Sequence, residues 1–120
     1  MNLLFVCTAN ISRSYLAHKL MEYEIRMRGL VDVTVSSAGV LDLGGGAGDP
    51  EMAAYLEGRG IFAGQHRARP VTANEISWAD LILVMEQTHA DRILAQWPQS
   101  HDKIMRLGRF NRRIGEDENI

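Results

Sequence analysis

An apolar run, Leu3-Leu4-Phe5-Val6, leads directly into Cys7-Thr8-Ala9-Asn10-Ile11-Ser12-Arg13-Ser14, and a segment with helical spacing, Tyr15 to Arg28, follows. The pattern predicts a strand, a tight loop and a helix in that order. Such a loop points successive backbone N–H groups into one concavity, and the helix N-terminus beneath it adds partial positive charge. That cradle suits a phosphate-sized oxyanion. The same N–H groups and Arg13 also favour the thiolate form of Cys7. Arginine fits the position better than lysine because its planar fork holds two oxygens of a phosphoryl group at once. A lone cysteine closing a buried strand is, taken alone, a small packed hydrophobe. Arginine six positions later, serine next to it and a strand before make the nucleophile the stronger reading.

Cys-x5-Arg-Ser this close to the N-terminus, with the Asn10-Ile11 pair, resembles the bacterial type of the low-molecular-weight protein tyrosine phosphatase family. The usual loop of that family reads Cys-x-Gly-Asn-Ile-Cys-Arg-Ser-Pro. The resemblance implies that Cys7 is the nucleophile, that Arg13 clamps the phosphoryl group and that Ser14 hydrogen-bonds the thiolate. It implies that Thr8, Ala9, Asn10, Ile11, Ser12 and Arg13 bind the phosphate. Three positions depart from the pattern. Ala9 replaces a glycine, which requires that the backbone there avoid positive φ. Ser12 replaces a second cysteine, so no disulfide forms within the loop. Tyr15 replaces a proline in the first turn of the helix, a mild loss of preorganisation.

The 120 residues make one small domain, long enough for a core. A net charge of −2 argues against nucleic acid or an anionic membrane as the main partner. Arg106, Arg109, Arg112 and Arg113 cluster, equally well as a solvated face. One cysteine leaves no internal disulfide and no cysteine-rich zinc site, and it fits a reducing, cytoplasmic setting. Leu3 to Val6 is too short for a signal peptide, and no stretch has transmembrane length. Neither a cofactor nor a metal is expected.

Residues 2–7 read as a strand with both faces covered. The following helix carries Tyr15, Leu16, Leu20, Met21 and Ile25 roughly along one stripe and stops at Gly29. Val31, Val33 and Val35 alternate with polar residues and predict a second strand, ending at Ser37-Ala38-Gly39. By itself that tripeptide is a strand-ending turn; the resemblance implies that Ser37 braces Asn10. The glycine run 44–48 lacks both the spacing of a dinucleotide fingerprint and a P-loop lysine. The resemblance makes residues 40–49 one wall of the cleft, with Leu41 and Leu43 facing the substrate ring. Asp49 is the N-cap of a helix beginning at Pro50 and running to about Gly58. His66, in Gln65-His66-Arg67-Ala68-Arg69, supports the loop asparagine by resemblance; a surface histidine without a role is the alternative. His18, His89 and His101 show no metal-ligand spacing and receive no role.

A short capped helix at 71–75, a strand Leu81–Met85, a turn at Glu86 opening a helix to about Trp97, and a strand Lys103–Leu107 complete the pattern. Strands separated by helices predict an α/β single domain, a four-stranded parallel sheet flanked by helices in a flavodoxin-like, three-layer arrangement. The loop then lies at the carboxyl end of a strand, where such sheets bind ligands.

The resemblance further implies an Asp-Pro-[Tyr/Phe] motif bearing the general acid, then a last helix, and the sequence stops short of both. Glu116, Asp117 and Glu118 read first as a solvated acidic run, with Asp117 the candidate substitute acid. A sheet face left bare there would favour a homodimer. Hydrolysis of protein phosphotyrosine, with a bacterial tyrosine kinase among the partners, is the first functional reading. A phosphate- or phosphoprotein-binding module without turnover is the second. Arsenate reduction of the thioredoxin-coupled kind needs two further cysteines and is set aside.

Overall fold

The computed structural model describes residues 1–42, 44–63 and 66–110. Strand β1 (Asn2–Cys7) is followed by helix α1 (Arg13–Met27), β2 (Thr34–Gly39), α2 (Pro50–Gly58), α3 (Ala73–Trp78), β3 (Leu81–Val84), α4 (Gln87–Gln96) and β4 (Ile104–Arg106). Short 3₁₀ turns flank β4 at Pro98–Lys103 and Leu107–Phe110. The strands form one sheet in the order β2-β1-β3-β4, and every pairing is parallel.

β1 is the centre of the sheet, and its uninterrupted apolar sequence follows from burial on both sides. Leu4 and Val6 join Ile82 and Val84 on the face covered by α3 and α4. Phe5 and Cys7 join Leu83 and Met85 on the other face, against Ala17 and Met21 of α1. The two-residue alternation of a strand makes this division. α1 itself buries two stripes. Ala17 and Met21 meet the sheet, whereas Tyr15, Leu16 and Leu20 pack with Leu56 and Ile61 around α2.

The strand expected from Val31 begins only at Thr34, and Val31 is 88% exposed. The alternation is genuine, but the pairing starts later. Asn2 pairs with Thr34, and Thr34 N–H donates to Met1 O at 2.9 Å, so the strand pairing begins at this register. Gly29, at φ 65, turns the chain out of α1 and back towards the sheet. At the other edge, β4 is shorter than the expected Lys103–Leu107, because Leu107 already starts a 3₁₀ turn. α1 begins two residues earlier than expected, which puts Arg13 and Ser14 on the helix rather than ahead of it.

Two caps fix the helices nearest the loop segments. Asp49 Oδ1 accepts from Glu51 N–H at 2.8 Å, as its place before Pro50 predicts. Thr72 Oγ1 accepts from Glu75 N–H at 3.3 Å and opens α3.

Candidate active site

The loop between β1 and α1 is built from below by β2. Val40 N–H donates to Cys7 O at 3.0 Å and Leu41 N–H to Thr8 O at 2.9 Å, extending the strand pairing into the loop. Gly39 ends β2 directly under the turn. A Cβ there would lie 2.7 Å from Ala9 C and from Thr8 O. Only glycine permits this approach. Ala9 keeps a negative φ; the residue with positive φ in the loop is Asn10, at 61°. Asparagine tolerates that left-handed conformation better than most side chains. Alanine in place of glycine at position 9 is therefore without backbone strain.

Asn10 is fully buried and held on three sides. His66 Nε2 lies 2.6 Å from its carbonyl oxygen, Arg69 N–H donates to Oδ1 at 3.3 Å, and Nδ2 donates to Ser14 Oγ at 2.9 Å. A carbonyl only accepts, so Nε2 of His66 carries the proton. Burial pushes the His66 imidazole below its ordinary value, partly offset by this bond to Asn10. Ser37 does not brace Asn10 as the resemblance implied. Its hydroxyl pairs with His18 Nδ1 at 2.7 Å. Side chains alternate along β2, and Ser37 points to the α1 face, where His18 lies.

Cys7 is buried, with Sγ 3.0 Å from Ser14 Oγ. Because Asn10 Nδ2 occupies a lone pair of Ser14 Oγ, the serine proton is left to point at sulfur or at Ala38 O. The carbonyl stands 3.5 Å away, so sulfur is the nearer acceptor. Arg13, the first residue of α1, pairs with Glu86 at 2.5 Å, both side chains one-third exposed. The hydrogen bond from Arg13 holds the Glu86 carboxyl below its usual range. Thr8, exposed at the rim, has its hydroxyl 3.0 Å from His89 Nε2.

Ser12, at the N-cap position of α1, gives its hydroxyl to Asp49 Oδ2 at 3.0 Å, and Asp49 N–H donates to Ile11 O at 2.9 Å. The loop is thus tied to the start of α2 where related loops carry a thiol. Tyr15 is fully buried. Its ring stacks on His66 with centroids 4.4 Å apart, and its hydroxyl donates to Ala63 O at 3.0 Å. A tyrosine here occupies space a proline would leave open.

Cys7, Asn10 and Ser14 are thus joined by hydrogen bonds, with His66 on the Asn10 carbonyl, Glu86 on Arg13 and Ser37 one layer away on His18. Sequence reasoning gave no role to His18 or His89 and did not pair Glu86 with Arg13. The turn at Glu86-Gln87-Thr88-His89 was visible, but its reach to the loop was not. Leu41 is half-buried at the end of β2. Leu43, Gln65 and the acidic residues Glu116, Asp117 and Glu118 lie outside the described residues, as do Arg112 and Arg113. Among the described residues no group of three or more His, Cys, Asp or Glu side chains is placed to hold a metal ion. No helix among them is long and apolar enough to cross a membrane.

A cysteine that closes a parallel strand, followed by a short loop and an arginine at the helix start, is the arrangement of a cysteine-dependent phosphatase. The chain belongs to the low molecular weight phosphotyrosine protein phosphatase family, which it matches over residues 2–120. It is 36% identical over 106 residues to the probable low molecular weight protein-tyrosine-phosphatase EpsP of Ralstonia nicotianae, covering 88% of this chain and 70% of that protein. It is 35% identical over 108 residues to the protein-arginine-phosphatase of Geobacillus stearothermophilus, covering 90% and 70%. The crystal structure of a low molecular weight protein tyrosine phosphatase from T. tengcongensis superimposes with a TM-score of 0.88 at 32% identity, covering 99% of this chain and 81% of the other. The YwlE arginine phosphatase of G. stearothermophilus gives 0.83 at 34%, covering 97% and 72%.

Proposed function

We propose that this protein hydrolyses phosphorylated side chains of proteins, phosphotyrosine first, by way of a phosphocysteine at Cys7. The thiolate attacks phosphorus opposite the ester oxygen; the S–P bond forms as the P–O bond breaks, and the leaving phenolate takes a proton from a positioned acid. Arg13 and the backbone N–H groups from Thr8 to Ser14 carry the charge on the equatorial oxygens. Water then attacks phosphorus and gives up a proton, the S–P bond breaks, and inorganic phosphate leaves. Ser14 donates to the returning thiolate. The observation that carries this reading is the relay from Asn10 Nδ2 through Ser14 Oγ to Cys7 Sγ, which leaves the serine one proton and aims it at sulfur.

Asp117 is the candidate for that acid, beside the reading of residues 116–118 as a solvated acidic run. General acid catalysis contributes about 10²–10⁴-fold, so its removal matters most for poor leaving groups. The reading includes a cytoplasmic setting, whose reducing conditions keep a lone thiol free, with a bacterial tyrosine kinase among the substrates. A homodimer belongs to it too and is read by sedimentation velocity.

Phosphoarginine is the second substrate to test. The protein-arginine-phosphatase relative is 35% identical to this chain, beside 36% for the probable protein-tyrosine-phosphatase EpsP. Steady-state hydrolysis of p-nitrophenyl phosphate, a phosphotyrosine peptide and a phosphoarginine peptide, each beside Cys7→Ser, decides. Turnover of the phosphotyrosine peptide that Cys7→Ser abolishes supports the proposal. Turnover of p-nitrophenyl phosphate alone points to a nucleophile without its acid. Binding of vanadate without any turnover overturns hydrolysis and leaves a phosphate-binding module.

A further inference from the structure

His89 is the third residue of α4, nearly inaccessible to solvent, and stands outside the Cys-x5-Arg loop. Both of its ring nitrogens are engaged. Nδ1 accepts from Glu86 N–H at 3.1 Å, one of the orphan donors at the start of a helix. A neutral imidazole has one N–H, so the proton is on Nε2. Nε2 stands 3.0 Å from Thr8 Oγ1 and must donate to it. Thr8 is the residue immediately after the nucleophile. At the loop's other end, the side chain of Glu86 holds Arg13. Residues 86 and 89 thus grip the loop where it leaves β1 and where it enters α1. Burial, with the Arg13 cation nearby, pushes the His89 imidazole below its ordinary value and keeps it in this neutral, single-tautomer form.

We propose that His89 is a positioning residue for the phosphate loop: its Nε2–H, oriented by the helix-cap bond at Nδ1, holds the Thr8 hydroxyl and sets the loop's entry relative to α4. This rests on the phosphatase reading for its kinetic readout but not for its binding readout. Histidine performs two separable tasks here, and two substitutions part them. Asparagine puts an amide oxygen near the place of Nδ1 and keeps the cap, but does not reach Thr8. Glutamine puts an amide N–H near the place of Nε2 and reaches Thr8.

The experiment compares wild type, His89→Asn, His89→Gln, Thr8→Val and the double variant Thr8→Val/His89→Asn. The melting temperature, kcat and KM for p-nitrophenyl phosphate, and vanadate affinity are measured for each. The expected result is that His89→Asn melts with wild type yet loses about tenfold in kcat, the size of one hydrogen bond. Vanadate affinity falls with it, and His89→Gln recovers most of both. Thr8→Val shows the same loss, and the double variant is no worse than either single one, as expected for partners in one contact. Full kcat and vanadate affinity in His89→Asn, or losses that multiply in the double variant, overturn the proposal. If the wild-type protein binds vanadate without turnover, the phosphatase reading fails, and the same comparison of vanadate affinities still decides the role of His89.

Discussion

Ser14 Oγ lies 3.0 Å from Cys7 Sγ while accepting a hydrogen bond from Asn10 Nδ2 at 2.9 Å. A hydroxyl so engaged has one proton left to give, and sulfur is a nearer acceptor than Ala38 O at 3.5 Å, so the buried asparagine favours its donation to sulfur. Ser14→Ala removes a bond to a charged group, a change of about 10- to 100-fold in rate by the usual size of such bonds. The effect falls on the step in which thiolate leaves phosphorus. Rapid-mixing kinetics with p-nitrophenyl phosphate should then show a burst of nitrophenolate followed by slow turnover. A uniform slowing without a burst would place the serine's role elsewhere.

Gly39 has no room for a side chain: its added Cβ would meet the backbone of Thr8 and Ala9 at 2.7 Å. Backbone cannot step aside as a flexible side chain can. Gly39→Ala should displace the loop and lower kcat by more than tenfold, while the sheet core, remote from the clash, keeps its far-ultraviolet circular dichroism. Unchanged kinetics in that variant would contradict the geometry.

Tyr15 closes the space between α1, α2 and the segment carrying His66. Tyr15→Ala empties a fully buried aromatic site and should cost about 3–5 kcal/mol of stability. Tyr15→Phe keeps the ring against His66 and loses only the hydroxyl's bond to Ala63 O, a cost of about 1 kcal/mol. Denaturant titration of the two variants distinguishes a packing role from a hydrogen-bonding one.

His18, His66 and His89 all have imidazoles pushed below the ordinary 6.5, burial being the largest cause in each. As pH falls through that value the unfolded chain takes up protons that the native protein still refuses. Stability is therefore full above about pH 6.5 and declines as pH falls towards and through the lowered native values. Asp49 and Glu86, held below their ordinary carboxyl range by hydrogen bonds, extend the decline further into acid. Melting temperatures across pH 4 to 8 should rise and then level off. A maximum near pH 5 would be the wrong sign.

The candidate catalytic loop was legible because its parts are contiguous: a cysteine, an arginine and a hydroxyl within eight residues of one another. The caps at Asp49 and Thr72 are equally local, and the parallel sheet shows in strands apolar on both faces. Partners far apart in the chain left no such trace. Arg13 and Glu86 are separated by 73 residues, and Thr8 and His89 by 81, so neither pair forms a periodicity or a motif. Ser37 was visible as the end of a strand, but its choice of His18 over Asn10 depends on which face of the sheet it takes. Val31 and Val33 have the alternation of a strand, but the pairing with β1 begins only at Asn2 and Thr34, a register the alternation does not reveal.

The tie between Ser12 and Asp49 also has a chemical consequence. A thiol at position 12 would stand ready to capture a sulfenic acid on Cys7 as a disulfide, a reversible harbour against peroxide. The hydroxyl of Ser12 is committed to the Asp49 carboxylate and forms no such bond, and Cys7 is the single cysteine of these 120 residues. Oxidation of Cys7 thus finds no partner thiol among these 120 residues. Unless a backbone nitrogen or an external thiol captures the sulfenic acid, it proceeds to the sulfinic and sulfonic acids, from which Cys7 does not return by simple thiol reduction.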